Sequence, residues 1–302
     1  MPKLHIGPRT LHYLQMGRGP GVVMIHGLGT NQACWQLKVA PRLVAEFQVI
    51  TYDLPGHGYS TLLPEAEALL GDTPPEEEPP ELPSLWDLAG DIVALLDHLG
   101  VEKAHVVGHC IGGDIALHFA HRYPDRTDRI VLVEGMLPYL NPDHYSDPEW
   151  TGWDQWEQEV LRRTGVPIPA EQRGNLPYNL RRMADFPAQF GPGKGGSQDR
   201  DAIIQIAEQF GRLEALGVDV NLASAVHAMG SRALGLEDLR DIPHPTLLLY
   251  ATDSAFEGTL DVLRAQLPNA TVARLAESEL QHLAPLIQPA IVAEHIQAFC
   301  RA

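Results

Sequence analysis

The chain has 302 residues, 44% of them apolar and 20% charged, the make-up of an ordinary globular protein rather than a disordered, collagen-like or coiled-coil one. Lys and Arg number 22 against 39 Asp and Glu, a formal charge of −17 that repels phosphate backbones and anionic lipid, so neither nucleic acid nor a membrane is an expected partner. Three cysteines, Cys34, Cys110 and Cys300, do not make a disulfide framework, the opening residues lack the apolar core of a signal peptide, and a cytoplasmic location is expected.

In chain order, Leu11 to Gln15 reads as a strand. Val22-Val23-Met24-Ile25 and Val49-Ile50-Thr51-Tyr52 are short apolar runs, followed by His26-Gly27-Leu28-Gly29 and by Asp53-Leu54-Pro55-Gly56-His57-Gly58. Further runs lie at Ala104 to Val107, Ile130 to Val133, Thr246 to Tyr250 and, more weakly, Thr271 to Ala273. Such runs with Gly or Pro just after them suit strands buried on both faces. Between them lie helical patterns. Leu85 to Leu99 carries Leu88, Ile92, Leu95, Leu96 and Leu99 on one stripe, with Ser84 and Asp87 as a capping box. Ile111 to Arg122 and Ile291 to Phe299 are two more. The alternation predicts a mainly parallel sheet with helices on both faces.

Two segments break it. Residues 61–83 are rich in Pro and Glu and predict an exposed loop. Residues 137–240 have no strong strand run, carry Trp150, Trp153 and Trp156 and the stretch GPGKGG at 191–196, and predict a helical cap inserted into a core formed by 1–136 and 241–302.

The chemistry concentrates at Gly108-His109-Cys110-Ile111-Gly112-Gly113, a strand end, a sharp turn and a helix start. The pattern G-x-C-x-G is a nucleophile elbow with Cys in the place of Ser. It puts the side chain at the carboxyl end of a central strand, where open α/β sheets form their crevice. A helix N-terminus beside the sulfur is expected to lower the thiol pKa.

With HGLG at 26–29, DLPGHGYS at 53–60, GHCIGG at 108–113 and QHLAPL at 281–286 in this order, the chain resembles the α/β-hydrolase superfamily, in a variant with Cys at the elbow, as in dienelactone hydrolases and thioesterase-like members. The resemblance implies an α/β-hydrolase fold, with Cys110 as nucleophile, His282 as general base, and the backbone N–H groups of Leu28 and Ile111 as the oxyanion hole. His26 and His57 are expected to organise loops. The family usually takes its acid three residues past a Gly that follows the strand ending near Tyr250. Here Ala251 replaces that Gly, the third residue on is Ser254, and Asp253 falls one place early. Another branch takes the acid from the end of the strand after the elbow, which here is Glu134. Glu134 and Asp253 are both candidates for the acid.

Cys with His on this fold implies acyl transfer, and excludes haloalkane dehalogenation, which needs a carboxylate nucleophile. The expectation is a hydrolase of an ester, lactone or thioester acting through an acyl-Cys intermediate, with no cofactor and no metal. The aromatic residues of the cap point to a small apolar or aromatic acyl substrate. The alternatives are an acyltransferase with a non-water acceptor and a ligand-binding pseudoenzyme on the same fold.

Overall fold

The computed structural model describes residues 1–61, 83–137, 161, 165–172, 178, 233–252, 254, 256–276 and 281–302. The chain divides into two compact units, one of Met1–Leu137 with Ala233–Ala302 and one of Pro138–Arg232. The expectations for the acidic loop, the tryptophans and GPGKGG fall outside the described residues, as does nearly all of the segment expected as a cap.

The first unit is built on an eight-stranded sheet in the order β1-β2-β4-β3-β5-β6-β7-β8. Its strands are β1 (Lys3–Ile6), β2 (Arg9–Met16), β3 (Gly21–Ile25), β4 (Gln48–Tyr52), β5 (Ala104–His109), β6 (Thr127–Val133), β7 (Thr246–Ala251) and β8 (Ala270–Leu275). β1 and β2 pair antiparallel, β2 pairs antiparallel with β4, and every pairing from β4 to β8 is parallel. β3, β5 and β7 are buried at every residue, which explains the apolar runs within them, although β5 also buries His105 and His109. β1 alternates exposed with half-buried residues over only four positions, and carries no apolar run.

The helices are α1 (Ala33–Gln36), α2 (Ala40–Leu43), α3 (Leu85–His98), α4 (Ile111–Arg122), α5 (Leu236–Arg240), α6 (Glu257–Gln266), α7 (Ala284–Ile287) and α8 (Pro289–Arg301). α3 starts where its capping box predicts: Asp87 N–H donates to Ser84 Oγ at 3.2 Å, and Ser84 N–H donates to Asp87 Oδ2 at 2.9 Å. Its stripe of Leu88, Ile92, Leu95 and Leu96 is buried, and α3 packs beside α4. On a second cluster, Trp35, Leu43, Val292 and Ile296 close over Val22, Val107 and Val131.

The order of the strands positions the site. β3 lies between β4 and β5, so the chain leaves β3 in one direction and returns on its other side. That is the switch point at which open parallel sheets form their crevice. Ile25 is level with Gly108, and His109 with Val133, which in turn is level with Leu249. The loops after β3, β5, β6 and β7 therefore emerge together along one edge of the sheet.

Candidate active site

Cys110 stands between β5 and α4 with φ 54° and ψ −124°, a conformation that costs free energy in any non-glycine residue. Two glycines make it possible. A Cβ on Gly108 would lie 2.1 Å from the Gly112 carbonyl oxygen, and one on Gly112 would lie 2.5 Å from that of Ile25. The spacing G-x-C-x-G is thus a steric requirement: strand end, helix start and neighbouring β3 touch through bare backbone.

This packing brings the loop after β3 to the sulfur. The backbone N–H groups of Leu28 and Ile111 both approach the Cys110 thiol and favour its ionised form. Two N–H groups from separate elements, converging on one atom, have the makings of an oxyanion hole. The loop is held by histidines. Leu54 N–H donates to His26 Nε2 at 2.9 Å while His26 Nδ1–H donates to the Gly27 carbonyl at 2.8 Å. Gly29 N–H donates to His57 Nε2 at 3.3 Å, and His57 Nδ1–H donates to the Pro55 carbonyl at 3.1 Å. Burial lowers His26 to about 4 and His57 to about 3, so both stay neutral and tie the 26–29 loop to the 53–58 loop.

Cys110 is only 6% exposed, and burial pushes its thiol up to about 12, outweighing the two N–H groups; the charge of Glu134 adds to the rise. The lowered thiol expected from the helix N-terminus is therefore not found. Desolvation of the anion exceeds the stabilisation that one helix end provides. At neutral pH the site holds a thiol.

His282 sits in the short turn Gln281–Leu283, just before α7. Its ring lies 4.9 Å from that of His109 and 4.8 Å from that of Phe256, centroid to centroid. His109 Nε2–H donates to the His282 backbone carbonyl at 2.5 Å. Burial and the neighbouring His109 hold His282 well below the ordinary histidine value, so its ring is neutral. Its Nδ1 is buried and has no hydrogen-bond partner among the described residues.

Glu134 follows β6 directly, is fully buried, and has φ 49°. Its carboxylate accepts from Ala251 N–H at 2.6 Å and from Ser254 Oγ–H at 2.7 Å. It thus fastens the loop after β7 to the end of β6. Ser254 in turn accepts from Phe256 N–H at 3.1 Å, which sets the ring that packs on His282. From β8, Arg274 Nη1 donates to the Ala251 carbonyl at 3.0 Å and braces the same turn.

The structure brings Cys110, Leu28 and Ile111 together, sets His282 against His109, and joins Glu134 to Ser254 rather than to the His282 ring. Asp253 lies outside the described residues. Sequence reasoning missed His109 and Phe256 as the groups that pack on His282. Nothing in either residue type singles it out; the position of His109 inside the elbow motif was the only signal.

The chain belongs to the alpha/beta hydrolase fold family, which it matches over residues 20–286. It is 37% identical over 134 residues to the dihydrolipoyllysine-residue acetyltransferase component of the acetoin cleaving system of Pseudomonas putida, covering 43% of this chain and 31% of that protein. It is 31% identical over 128 residues to the 2-hydroxy-6-oxo-6-phenylhexa-2,4-dienoate hydrolase of Comamonas testosteroni, covering 41% of this chain and 39% of that one. The chain thus spans well under half the length of these relatives. Among solved structures, the enol-lactonase of Burkholderia xenovorans LB400 shares the fold with a TM-score of 0.66 at 20% identity, over 100% of both chains. No helix among the described residues is long and apolar enough to cross a membrane.

Proposed function

We propose that the chain is a hydrolase of an ester, lactone or thioester that works through an acyl-Cys110 intermediate. The observation that carries this is the strained elbow with two backbone N–H groups, Leu28 and Ile111, aimed at the sulfur. A buried, inert cysteine needs neither feature.

In this mechanism His282 takes the thiol proton as sulfur attacks the carbonyl carbon, because a thiol near 12 does not ionise in advance. The oxyanion of the tetrahedral intermediate accepts hydrogen bonds from Leu28 and Ile111 N–H. Collapse breaks the bond to the leaving alcohol or thiol, which takes the proton from His282. Water then attacks the thioester with His282 again as base, and collapse breaks the C–S bond, returns the proton from His282 to the Cys110 sulfur and releases the acid. Glu134 is the carboxylate proposed to serve His282. Ser254 occupies the position where the family usually has its acid, and a 2.7 Å hydrogen bond brings the Glu134 carboxylate to that place. Asp253 is the alternative.

Names among the relatives bear on the reaction: a hydrolase supports water as acceptor, whereas an acetyltransferase supports a non-water acceptor. A second reading, a ligand-binding pseudoenzyme, is favoured by one observation, that Nδ1 of His282 has no partner among the described residues. Stopped-flow mixing with p-nitrophenyl acetate separates the readings. The account expects a burst of one equivalent of nitrophenol per chain followed by steady turnover, and no burst from Cys110→Ala. A linear trace identical in both proteins sinks the acyl-enzyme.

A further inference from the structure

Of the buried ionisable groups that the machinery above leaves unused, one lies on the helix that starts at the elbow. Asp114 lies in the first turn of α4, about one helical turn, ~5 Å, beyond Cys110. It is 1% exposed, and neither carboxyl oxygen has a hydrogen-bond partner among the described residues. The carboxyl lies within electrostatic reach of the sulfur, and an ionised Asp114 would oppose ionisation of Cys110. The nearest titratable side chain on its own helix, His118, donates through Nδ1 to the backbone carbonyl of Asp114 at 2.7 Å, not to its carboxyl, and accepts from Leu234 N–H at 3.2 Å. Buried polar groups in folded proteins are nearly always paired, so an orphan carboxyl beside a candidate nucleophile calls for a partner that binds.

We propose that Asp114 is the recognition group for the acyl chain, hydrogen-bonding a neutral amide-type group, N–H beside C=O, set about one helical turn (~5 Å) from the reacting carbonyl. The proposal rests on the reading of Cys110 as the residue that accepts the acyl group, and adds a substrate class to it. Burial keeps the Asp114 carboxyl well above the usual carboxylate range, so it offers one O–H donor and one C=O acceptor, the complement of an amide. An anionic chain is disfavoured by the charge of Glu134, which reaches Cys110, and by a net charge of −17. An ammonium chain would have to bury two charges where the apolar surroundings already suppress one.

The test uses two acyl chains of the same shape, glutaramoyl and 5-methylhexanoyl, as p-nitrophenyl esters with the full chain. The expected kcat/KM is at least tenfold higher for the glutaramoyl ester, as for a site built around a hydrogen bond. Asp114→Asn, which keeps a donor beside an acceptor, should retain the preference. Asp114→Leu should bring the ratio to about one and raise Tm, because it removes an unpaired buried carboxyl. A ratio near one in the unaltered protein, a preference for a 5-aminopentanoyl ester, or a lower Tm with an unchanged ratio in Asp114→Leu would each overturn the proposal. Calorimetry on Cys110→Ala with methyl glutaramate and methyl 5-methylhexanoate reads the same preference without turnover. If the amide binds tenfold tighter there while neither nitrophenyl ester is hydrolysed, the hydrolase reading fails and this one stands; equal Kd values overturn it.

Discussion

The two halves of the site are held by different forces. At the β3–β5 edge, Cys110 and the N–H groups of Leu28 and Ile111 are placed by backbone packing, with no room for a side chain at Gly108 or Gly112. At the β6–β7 edge, the groups are placed by side-chain hydrogen bonds that Glu134 accepts from Ala251 and Ser254, and the loop of His282 is tied back to the end of β5 by His109. Steric packing fixes one geometry, since interiors tolerate little overlap. A carboxylate with four lone-pair sites can exchange partners. The half around Cys110 is therefore sterically constrained, and in the proposed mechanism the half around Glu134 can exchange hydrogen-bond partners as His282 gains a proton.

The largest effect should come from the half around Cys110. Gly108→Ala puts a Cβ 2.1 Å from a backbone oxygen and should cost about 3 kcal/mol or more, read as a lower Tm and loss of soluble folded protein. A Gly108→Ala protein of unchanged Tm would mean that the elbow is looser than its backbone angles say.

The acid half is tested next. Glu134→Gln keeps the shape of the side chain but removes its charge, and should slow acylation about 100-fold. A loss within threefold would leave Cys110 and His282 as a dyad and make Glu134 an anchor for the loop alone.

A third contrast lies in the protons. A thiol near 12 should be alkylated by iodoacetamide at a rate that rises about tenfold per pH unit through the alkaline range, because only the thiolate reacts. His282, held well below its ordinary value, should show no inflection near pH 6.5 in kcat/KM. An alkylation midpoint below 8.5 would show a preformed thiolate–imidazolium pair instead. The smallest effect is expected of Ser254→Ala, which removes one hydrogen bond to Glu134 and should lower acylation by about fivefold, near 1 kcal/mol. A larger loss than that of Glu134→Gln would reverse their roles.

What the sequence made legible follows the same division. β3, β5 and β7 are buried on both faces, so their apolar runs stand out, and the glycines around Cys110 mark a backbone approach that no other residue tolerates. β1 was invisible because a four-residue edge strand with alternating exposure has no pattern to read. α6 was missed for a related reason: only Thr259, Leu260 and Leu263 are buried along its ten residues. Glu134 was visible as a carboxylate at a strand end. Its bond to Ser254, 120 residues further on, depends on β6 and β7 lying side by side, which no local pattern encodes. The support of His282 by His109 likewise spans 173 residues. The thiol was misjudged because a helix N-terminus is legible in sequence and the depth of burial around a side chain is not.

The most direct test of the central claim is intact-protein mass spectrometry after brief exposure to an activated ester, followed by peptide mapping. The account predicts one added acyl group per chain, on the peptide that contains Cys110, absent from Cys110→Ala and released by hydroxylamine. Hydrolysis of the ester by Cys110→Ala at the unaltered rate, or an adduct on any other residue with Cys110 left free, would contradict it.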